Sequence, residues 1–203
     1  MILGITGPPG VGKTTLVSLL LHELADGAAL ESGSGWVAHA PMDGFHLADV
    51  QLARLGLLDR KGAPETFDAV GYAAALDRLR RDTGEVVYLP GFERDIEQPI
   101  AASIAVPPWV RLVVTEGNYL LLDEGAWPRA RSHLTEVWYC DVDDELRRRR
   151  LVERHVQFGK APGAAAEWVD RSDEVNARRV RSARAAADLV IAMDSIDATP
   201  PSG

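Results

Sequence analysis

Cysteine is almost missing from this 203-residue sequence, which contains only Cys140. A single thiol excludes an internal disulfide framework and any zinc or iron–sulfur site built from several cysteines. We expect Cys140 itself to be a buried strand residue rather than a nucleophile. Lysine is also scarce, because only Lys13, Lys61 and Lys160 among the 22 basic residues are lysines. The positions of these three lysines are therefore informative.

Long apolar runs are absent too. No stretch approaches the ~20 residues that a membrane-spanning helix needs, and the apolar N-terminal run is broken by Gly-Pro-Pro-Gly, unlike a signal peptide. The formal charge of −8 disfavours nucleic acid as a general partner. We therefore expect neither a membrane nor a nucleic-acid partner, and a soluble protein of the cytoplasm. A homodimer is the default expectation for the oligomeric state.

What the sequence does contain is an alternation of strand-like apolar segments and amphipathic helical segments. With 46% hydrophobic and 26% charged residues, it has the composition of a globular protein. Such alternation predicts an α/β fold, a parallel sheet covered by helices on both faces. We expect one domain over 1–195 with a small helical lid within 143–165, a loop over 26–35 and a frayed tail over 196–203. The predicted strands are 1–6, 36–40, 86–89, 111–115, 136–140 and 189–192, and the predicted helices are 13–25, 47–57, 70–81, 143–158 and an interrupted stretch over 164–187.

The segments that follow the first four predicted strands contain the glycine-rich loop and the polar residues that are candidates for chemistry. Gly7 follows the first, Met42-Asp43-Gly44 the second, Pro90 to Arg94 the third and Glu116-Gly117-Asn118 the fourth. Ligands of parallel sheets bind beyond the carboxyl ends of the strands. We therefore expect these residues to share one edge.

Residues 7–14, GPPGVGKT, fit the phosphate-loop pattern G-x-x-x-x-G-K-[ST] between a strand and a helix. The glycines let backbone amides turn toward a phosphate chain, and the helix start adds free N–H groups. The motif predicts that Lys13 reaches the β- and γ-phosphates of ATP and that the Thr14 hydroxyl binds Mg²⁺. It therefore predicts a P-loop NTPase fold. The candidate nucleotide-binding residues are Gly7, Gly10, Val11, Gly12, Lys13, Thr14 and Thr15.

Several P-loop classes are disfavoured by missing motifs. No guanine-reading [NT]-K-x-D occurs, no Asp-Glu pair ends the apolar strand at 111–115, and the G-K-G-T continuation of adenylate-type kinases is missing. A small-molecule kinase other than a nucleoside-monophosphate kinase remains as the first hypothesis. The second hypothesis is a nucleotide-binding regulatory module with weak ATP hydrolysis and no dedicated acceptor.

The sequence also resembles the uridine kinase / phosphoribulokinase / bacterial pantothenate kinase superfamily. The resemblance is closest to a bacterial branch described as nucleoside/nucleotide, fructose or pantothenate kinase-like. It runs in order through nearly the whole chain and implies an ATP-dependent phosphotransferase that acts on an alcohol. The matching segments are GPPGVGKTT, PMDGFHL (41–47), RKGAPETFD (60–68), LPGFERDIEQP (89–99), TEGNYLLL (115–122), RRLVERH (149–155) and DEVNARRV (173–180).

Two carboxylates are further candidates, Asp43 as a catalytic residue beside Lys13 and Glu116 as a metal and substrate ligand. The resemblance places the superfamily's catalytic aspartate at Asp43, where a carboxylate could orient an acceptor hydroxyl and take its proton. A simple Asp-Gly turn is the alternative, and a link to Mg²⁺ stays open. Glu116 ends the apolar strand, and the resemblance implies an acidic Mg²⁺ residue at this step. The alternative for Glu116 is a turn-capping carboxylate.

Three further residues are candidates for binding the acceptor. Arg94 could contact an anion or a pair of hydroxyls, or it could form a surface ion pair with Glu93 or Glu97. His46 could bind a substrate hydroxyl or satisfy a loop carbonyl. Lys61 could close the pocket or be a solvated loop residue.

A dense positive run occupies the predicted helix 143–158. Arg147, Arg150 and Arg154 share one helical face by their spacing. Such a face could neutralise a transferring phosphoryl group, as lid arginines do in related kinases, or it could be a solvated face paired with neighbouring acids. Arg150 and Arg154 are the catalytic candidates.

Overall fold

The structure is a computed structural model that describes residues 1–24, 35–81, 84–194 and 196. The expected loop over 26–35 lies outside the described residues except for Gly35. The expected tail over 196–203 lies outside them except for Ile196.

A parallel sheet forms the centre of the molecule, with strand order β2-β5-β1-β6-β7. In β1 and β5 every residue is buried, as expected for strands covered on both faces. The prediction of an α/β fold with a parallel sheet is confirmed. The strands are β1 (Ile2–Thr6), β2 (Val37–His39), β5 (Leu112–Glu116), β6 (Glu136–Asp141) and β7 (Leu189–Ala192).

Helices cover both faces of this sheet. One apolar cluster joins Leu16 and Val17 to one face, and a larger one joins Tyr72, Leu76 and Trp127 to the other. No helix in the described ranges is both long and apolar enough to cross a membrane. The helices are α1 (Lys13–Leu24), α2 (Asp49–Leu55), α3 (Ala69–Arg80), α4 (Trp127–Arg131), α5 (Asp144–Gln157), α6 (Pro162–Trp168) and α7 (Glu174–Ser182).

The third predicted strand is wrong in extent and in place. It continues through Pro90-Gly91 as β3 (Val87–Glu93) and pairs with β4 (Gln98–Val106), for which the sequence predicts no element, in a separate antiparallel hairpin. Proline is tolerated here because a two-stranded hairpin leaves an outer edge on each strand, where no N–H is needed. The register shifts between Leu89 and Gly91, and the Gly91 N–H bonds the Ser103 hydroxyl instead of a backbone carbonyl.

The predicted interruption of the stretch 164–187 is confirmed. A π-helical turn, Val169–Asp173, separates α6 from α7. Such turns are rare and often lie near functional sites. The helix α5 and the start of α6 occupy the segment predicted as a lid, and its movement as a lid stays a prediction.

Candidate active site at the carboxyl edge of the sheet

The loop between β1 and α1 has the backbone shape that its glycines permit. Gly7 and Gly10 adopt φ values of 147° and 83°. A Cβ at Gly7 would lie 2.6 Å from the Cys140 carbonyl oxygen, and one at Gly10 would lie 2.5 Å from Leu151 Cγ. Both the dihedral angles and the close approach of neighbours therefore require glycine at these positions.

Lys13 begins α1, and its amine folds back over the loop. The Nζ donates to the Gly7 carbonyl at 2.9 Å, the Pro8 carbonyl at 3.1 Å and the Asn118 Oδ1 at 2.7 Å. Burial lowers the pKa of Lys13 to about 8, although the Glu116 carboxylate acts in the opposite direction. The loop therefore holds an ammonium whose charge is lost in mildly alkaline solution.

Glu116, the last residue of β5, lies beside the start of α1. The Thr14 hydroxyl donates to its Oε2 at 3.1 Å. Its Oε1 is 3.7 Å from Nε2 of His39, the last residue of the neighbouring strand β2. Burial raises the pKa of Glu116, and Lys13 offsets this only in part, whereas burial lowers the pKa of His39 to about 4. His39 is therefore neutral near pH 7 and makes no ion pair with this carboxylate.

Asp43 lies in a short 3₁₀ turn, Met42–Phe45, that follows β2. A Cβ at Gly44 would lie 2.0 Å from the Pro90 carbonyl oxygen, so only glycine lets this turn pack against β3. The half-exposed Asp43 carboxylate is 3.9 Å from Nη2 of Arg94. Asp43 also raises the pKa of Lys13 electrostatically, in addition to the effect of Glu116. The Asp43 and Lys13 side chains therefore belong to one charged cluster.

The three acceptor-binding candidates lie on the Asp43 side of this edge. Arg94 pairs with Asp43 rather than with Glu93 or Glu97. The His46 ring stacks on Phe67 with centroids 3.9 Å apart, and burial lowers its pKa to about 4. Lys61 is no free surface lysine, because it bonds Asp49 Oδ1 at 2.7 Å and the Glu97 carbonyl. Lys61 thereby ties α2 to the hairpin.

Arg150 and Arg154, both on α5, lie toward the phosphate loop. Arg150 Nη1 lies 3.9 Å from the point where a Cβ of Gly12 would be. Burial is the main cause of the lowered pKa of Lys13, and the positive charge of Arg154 lowers it further. Arg154 therefore acts electrostatically on the lysine of the phosphate loop. Arg147, from the same helix, is buried and bonds the Pro9 carbonyl at 3.2 Å.

Sequence reasoning missed three residues of this edge as site members. Asn118 directly follows Glu116-Gly117, and this adjacency was the available signal. Arg147 was placed on the correct helix face, but nothing indicated its burial. His39 carried no signal, because only the pairing of β2 with β5 brings it to Glu116.

A cavity of about 300 Å³ lies at the opposite edge of the sheet. Its lining includes Ile2 and Val113, at the amino ends of β1 and β5, together with Arg78 and Arg111. It is therefore separate from the residues gathered around Lys13.

Comparison with known proteins gives relatives along nearly the whole chain. The Schizosaccharomyces pombe protein named "Putative uridine kinase C227.14" is 31% identical over 197 residues, which cover 94% of this chain and 82% of that protein. The Aspergillus versicolor protein named "ATP-dependent kinase-like protein notR'" is 37% identical over 132 residues, covering 62% of this chain and 77% of that protein. No protein-family model matches the chain.

Solved structures show the same architecture. A crystal structure of a "putative fructose transport system kinase" from Silicibacter sp. TM1040 is 36% identical, with a TM-score of 0.79 over 94% of this chain and 89% of that one. The crystal structure of YFH7 from Saccharomyces cerevisiae, described as "a putative P-loop containing kinase with a circular permutation", has a TM-score of 0.76 at 18% identity. It covers 95% of this chain and 92% of that one. At that identity the second likeness concerns the fold alone.

Proposed function

The chain belongs to the P-loop kinases of the uridine kinase/phosphoribulokinase type, and on that premise we propose that it uses ATP and Mg²⁺ to phosphorylate a hydroxyl group of a small metabolite. The acceptor is an alcohol such as a nucleoside, a sugar or a pantothenate-like compound. The relatives support assignment to the ATP-dependent P-loop kinases.

One observation carries the proposal. A phosphate loop with its lysine lies on one side of the sheet edge, and a half-exposed carboxylate paired with an arginine lies on the other. A hydrolase or a regulatory module needs only the phosphate loop and its lysine. Transfer to an alcohol also needs a group that orients the acceptor hydroxyl and takes its proton. The Asp43–Arg94 pair supports such an acceptor site.

Each residue then has a distinct task. The ammonium of Lys13 and the loop amides hold the phosphates, and Arg150 and Arg154 neutralise charge that develops on the moving group. Asp43 orients the acceptor hydroxyl and accepts its proton as the new P–O bond forms. Arg94, His46 and Lys61 shape the acceptor side.

The donor set at Glu116 fits Mg²⁺. This ion favours oxygen ligands and commonly takes one or two protein ligands, with nucleotide phosphates and water completing the octahedron. Thr14 Oγ1 and Glu116 Oε2, 3.1 Å apart, would hold it directly or through water. When bound there, Mg²⁺ would reduce the negative charge of the nucleotide phosphates.

The proposal is tested by measuring ADP release in a coupled assay with and without a panel of alcohols that includes uridine, fructose and pantothenate. Stimulation by one alcohol, with its phosphate ester identified by mass spectrometry, supports the kinase. A rate of ADP release that no alcohol of a broad panel changes supports the alternative, a nucleotide-binding regulatory module.

Glu116→Gln is expected to raise the Mg²⁺ concentration for half-maximal turnover by about tenfold, because one charged oxygen ligand or water acceptor is lost. Removal of Mg²⁺ with EDTA is expected to abolish turnover of the unaltered protein. The measurement is a Mg²⁺ titration at constant ATP, with the exposed Glu85→Gln as the matched control. An unchanged titration in Glu116→Gln would remove this residue from the metal site.

The Lys13 pKa of about 8 predicts a pH dependence of nucleotide binding. Below that pH the amine carries its charge. As the pH rises through it, free protein loses the charge that the phosphates require, so Mg·ATP affinity should fall, approaching about tenfold per pH unit. Lys13→Arg stays charged throughout this range and should give a flat profile, whatever its absolute affinity. Parallel profiles of the two proteins in calorimetric titrations would contradict the assignment.

A further inference from the structure

Arg147 is unusual because its guanidinium is completely enclosed. The residue is only 1% exposed and is among the largest fully buried side chains. Charged side chains are rarely buried unless every donor is used, because desolvation of an ion is costly. The partners of Arg147 therefore indicate what the burial accomplishes.

These partners lie on three different segments. Nε donates to Asp144 Oδ1 at 3.0 Å in the first turn of α5, and Nη2 bonds Glu174 Oε1 at the start of α7. Nη1 donates to the Pro9 carbonyl of the phosphate loop at 3.2 Å. Arg147 thereby joins the lid helix and the segment after the π-helical turn to the phosphate loop.

The contact with Pro9 determines how one peptide unit of the loop is oriented. In a planar trans peptide, the carbonyl and the N–H of the next residue point in opposite directions. A carbonyl held toward α5 by Arg147 therefore turns the Gly10 N–H away from α5. Gly10 has φ of 83°, and Leu151 and the Arg147 backbone fill the space where its Cβ would be.

The carboxylate behind Arg147 is itself firmly held. Burial acts to raise the pKa of Glu174, but hydrogen bonds from Arg147 and Arg181 hold it below its ordinary value. Arg181 also bonds Asp144 Oδ1 at 2.6 Å, which closes a ring of charges around the guanidinium. Glu174 therefore anchors Arg147 without touching the phosphate loop.

We propose that Arg147 is a positioning residue that fixes the Pro9–Gly10 peptide so that the Gly10 N–H faces the anion site, with Glu174 as its anchor. This inference rests on the proposed function, since it assigns the purpose of the arrangement to nucleotide binding. It adds a group that touches neither phosphate nor metal to the residues that set ATP affinity.

Arg147→Lys tests this directly. An ammonium keeps the charge but cannot serve three acceptors in the planar geometry of a guanidinium. We expect the Kd for Mg·ATP to rise about tenfold. The matched control is Arg149→Lys on the exposed opposite face of α5, for which the Kd should stay within about twofold.

The anchor provides a second variant that keeps Arg147 in place. Glu174→Gln should weaken Mg·ATP binding in the same direction as Arg147→Lys, and the double variant should bind no more weakly than the worse single one. Glu145→Gln, an exposed carboxylate of α5, is the control. If Arg147→Lys does not fold, Glu174→Gln tests the proposal in its place.

NMR of nucleotide-free protein separates positioning from simple stabilisation. The Pro9 carbonyl carbon and the Gly10 amide should shift in Arg147→Lys in the direction of a lost carbonyl hydrogen bond. Leu151→Val, which alters packing beside Gly10, should leave the Pro9 carbonyl signal in place.

A lower melting temperature with unchanged Kd and an unchanged Pro9 signal would reduce Arg147 to a structural ion pair and overturn the inference. Unaltered protein that binds no Mg·ATP would instead contradict the proposed function. In that case the Pro9 signal alone decides whether Arg147 orients the peptide.

Discussion

Lys13→Ala is expected to lower kcat/KM for ATP by on the order of 10² to 10³, the usual effect of removing one preorganised donor from a developing charge. The ammonium of Lys13, the first residue of α1, is held by two loop carbonyls and Asn118. When ATP binds, charged phosphate oxygens would take the place of these neutral acceptors. Alanine supplies neither the positive charge nor the hydrogen-bond donor.

The fold should survive this change. Lys13 lies at the first turn of α1, and the loop conformation also depends on its glycines and on packing against Cys140 and Leu151. Circular dichroism checks folding, and steady-state kinetics with the acceptor found in the screen checks turnover. Arg78→Ala, which removes an exposed cation at the opposite edge, is the control. Near-normal kcat/KM in folded Lys13→Ala would refute the role of the loop.

The phosphate loop could be predicted from sequence because its pattern is contiguous. Its glycines, lysine and threonine lie within eight consecutive residues after a strand, so a short stretch of sequence is enough to recognise the motif. The contacts that support the loop from Cys140, Arg147 and Leu151 are not part of that pattern. The positions of Glu116 and Asp43 at the site could be predicted for a related reason. Each lies at or just beyond the end of a strand, and parallel strands end at a common edge.

Arg94 shows the limit of that reasoning. It was placed at the edge because it follows a predicted strand of the parallel sheet, yet β3 belongs to a separate hairpin. What brings Arg94 to Asp43 is the close packing of Gly44 on Pro90, a contact across 46 positions that no local pattern encodes.

Arg147 could not be recognised as buried for a physical reason. Four successive arginines on a helix predict a solvated face, since burial of one guanidinium requires partners from elsewhere in the chain. Its main partner, Glu174, lies 27 positions later, beyond the π-helical turn. His39 is similar, because strand pairing alone determines its neighbour.

Asp43→Asn should lower kcat by on the order of 10² to 10⁴, the usual contribution of a positioned general base. The amide keeps the shape of the carboxylate but cannot accept the acceptor's proton. Since Asp43 lies on the turn after β2, removal of its charge leaves the Lys13 contacts and the Thr14–Glu116 bond in place. Mg·ATP affinity should therefore change little.

The decisive experiment measures two quantities on the same protein, Mg·ATP binding by calorimetry at constant Mg²⁺ and kcat with the best acceptor. Asp59→Asn, which changes an exposed aspartate in the short 3₁₀ turn Leu58–Arg60, is the matched control and should leave both unchanged. If Asp43→Asn loses Mg·ATP binding in step with kcat, Asp43 acts on the metal and the base lies elsewhere. If kcat survives, the turn that follows β2 has only a structural role. A fall in kcat with intact binding places Asp43 on the acceptor, where Arg94 Nη2, 3.9 Å from the carboxylate, would hold it in position to receive the proton.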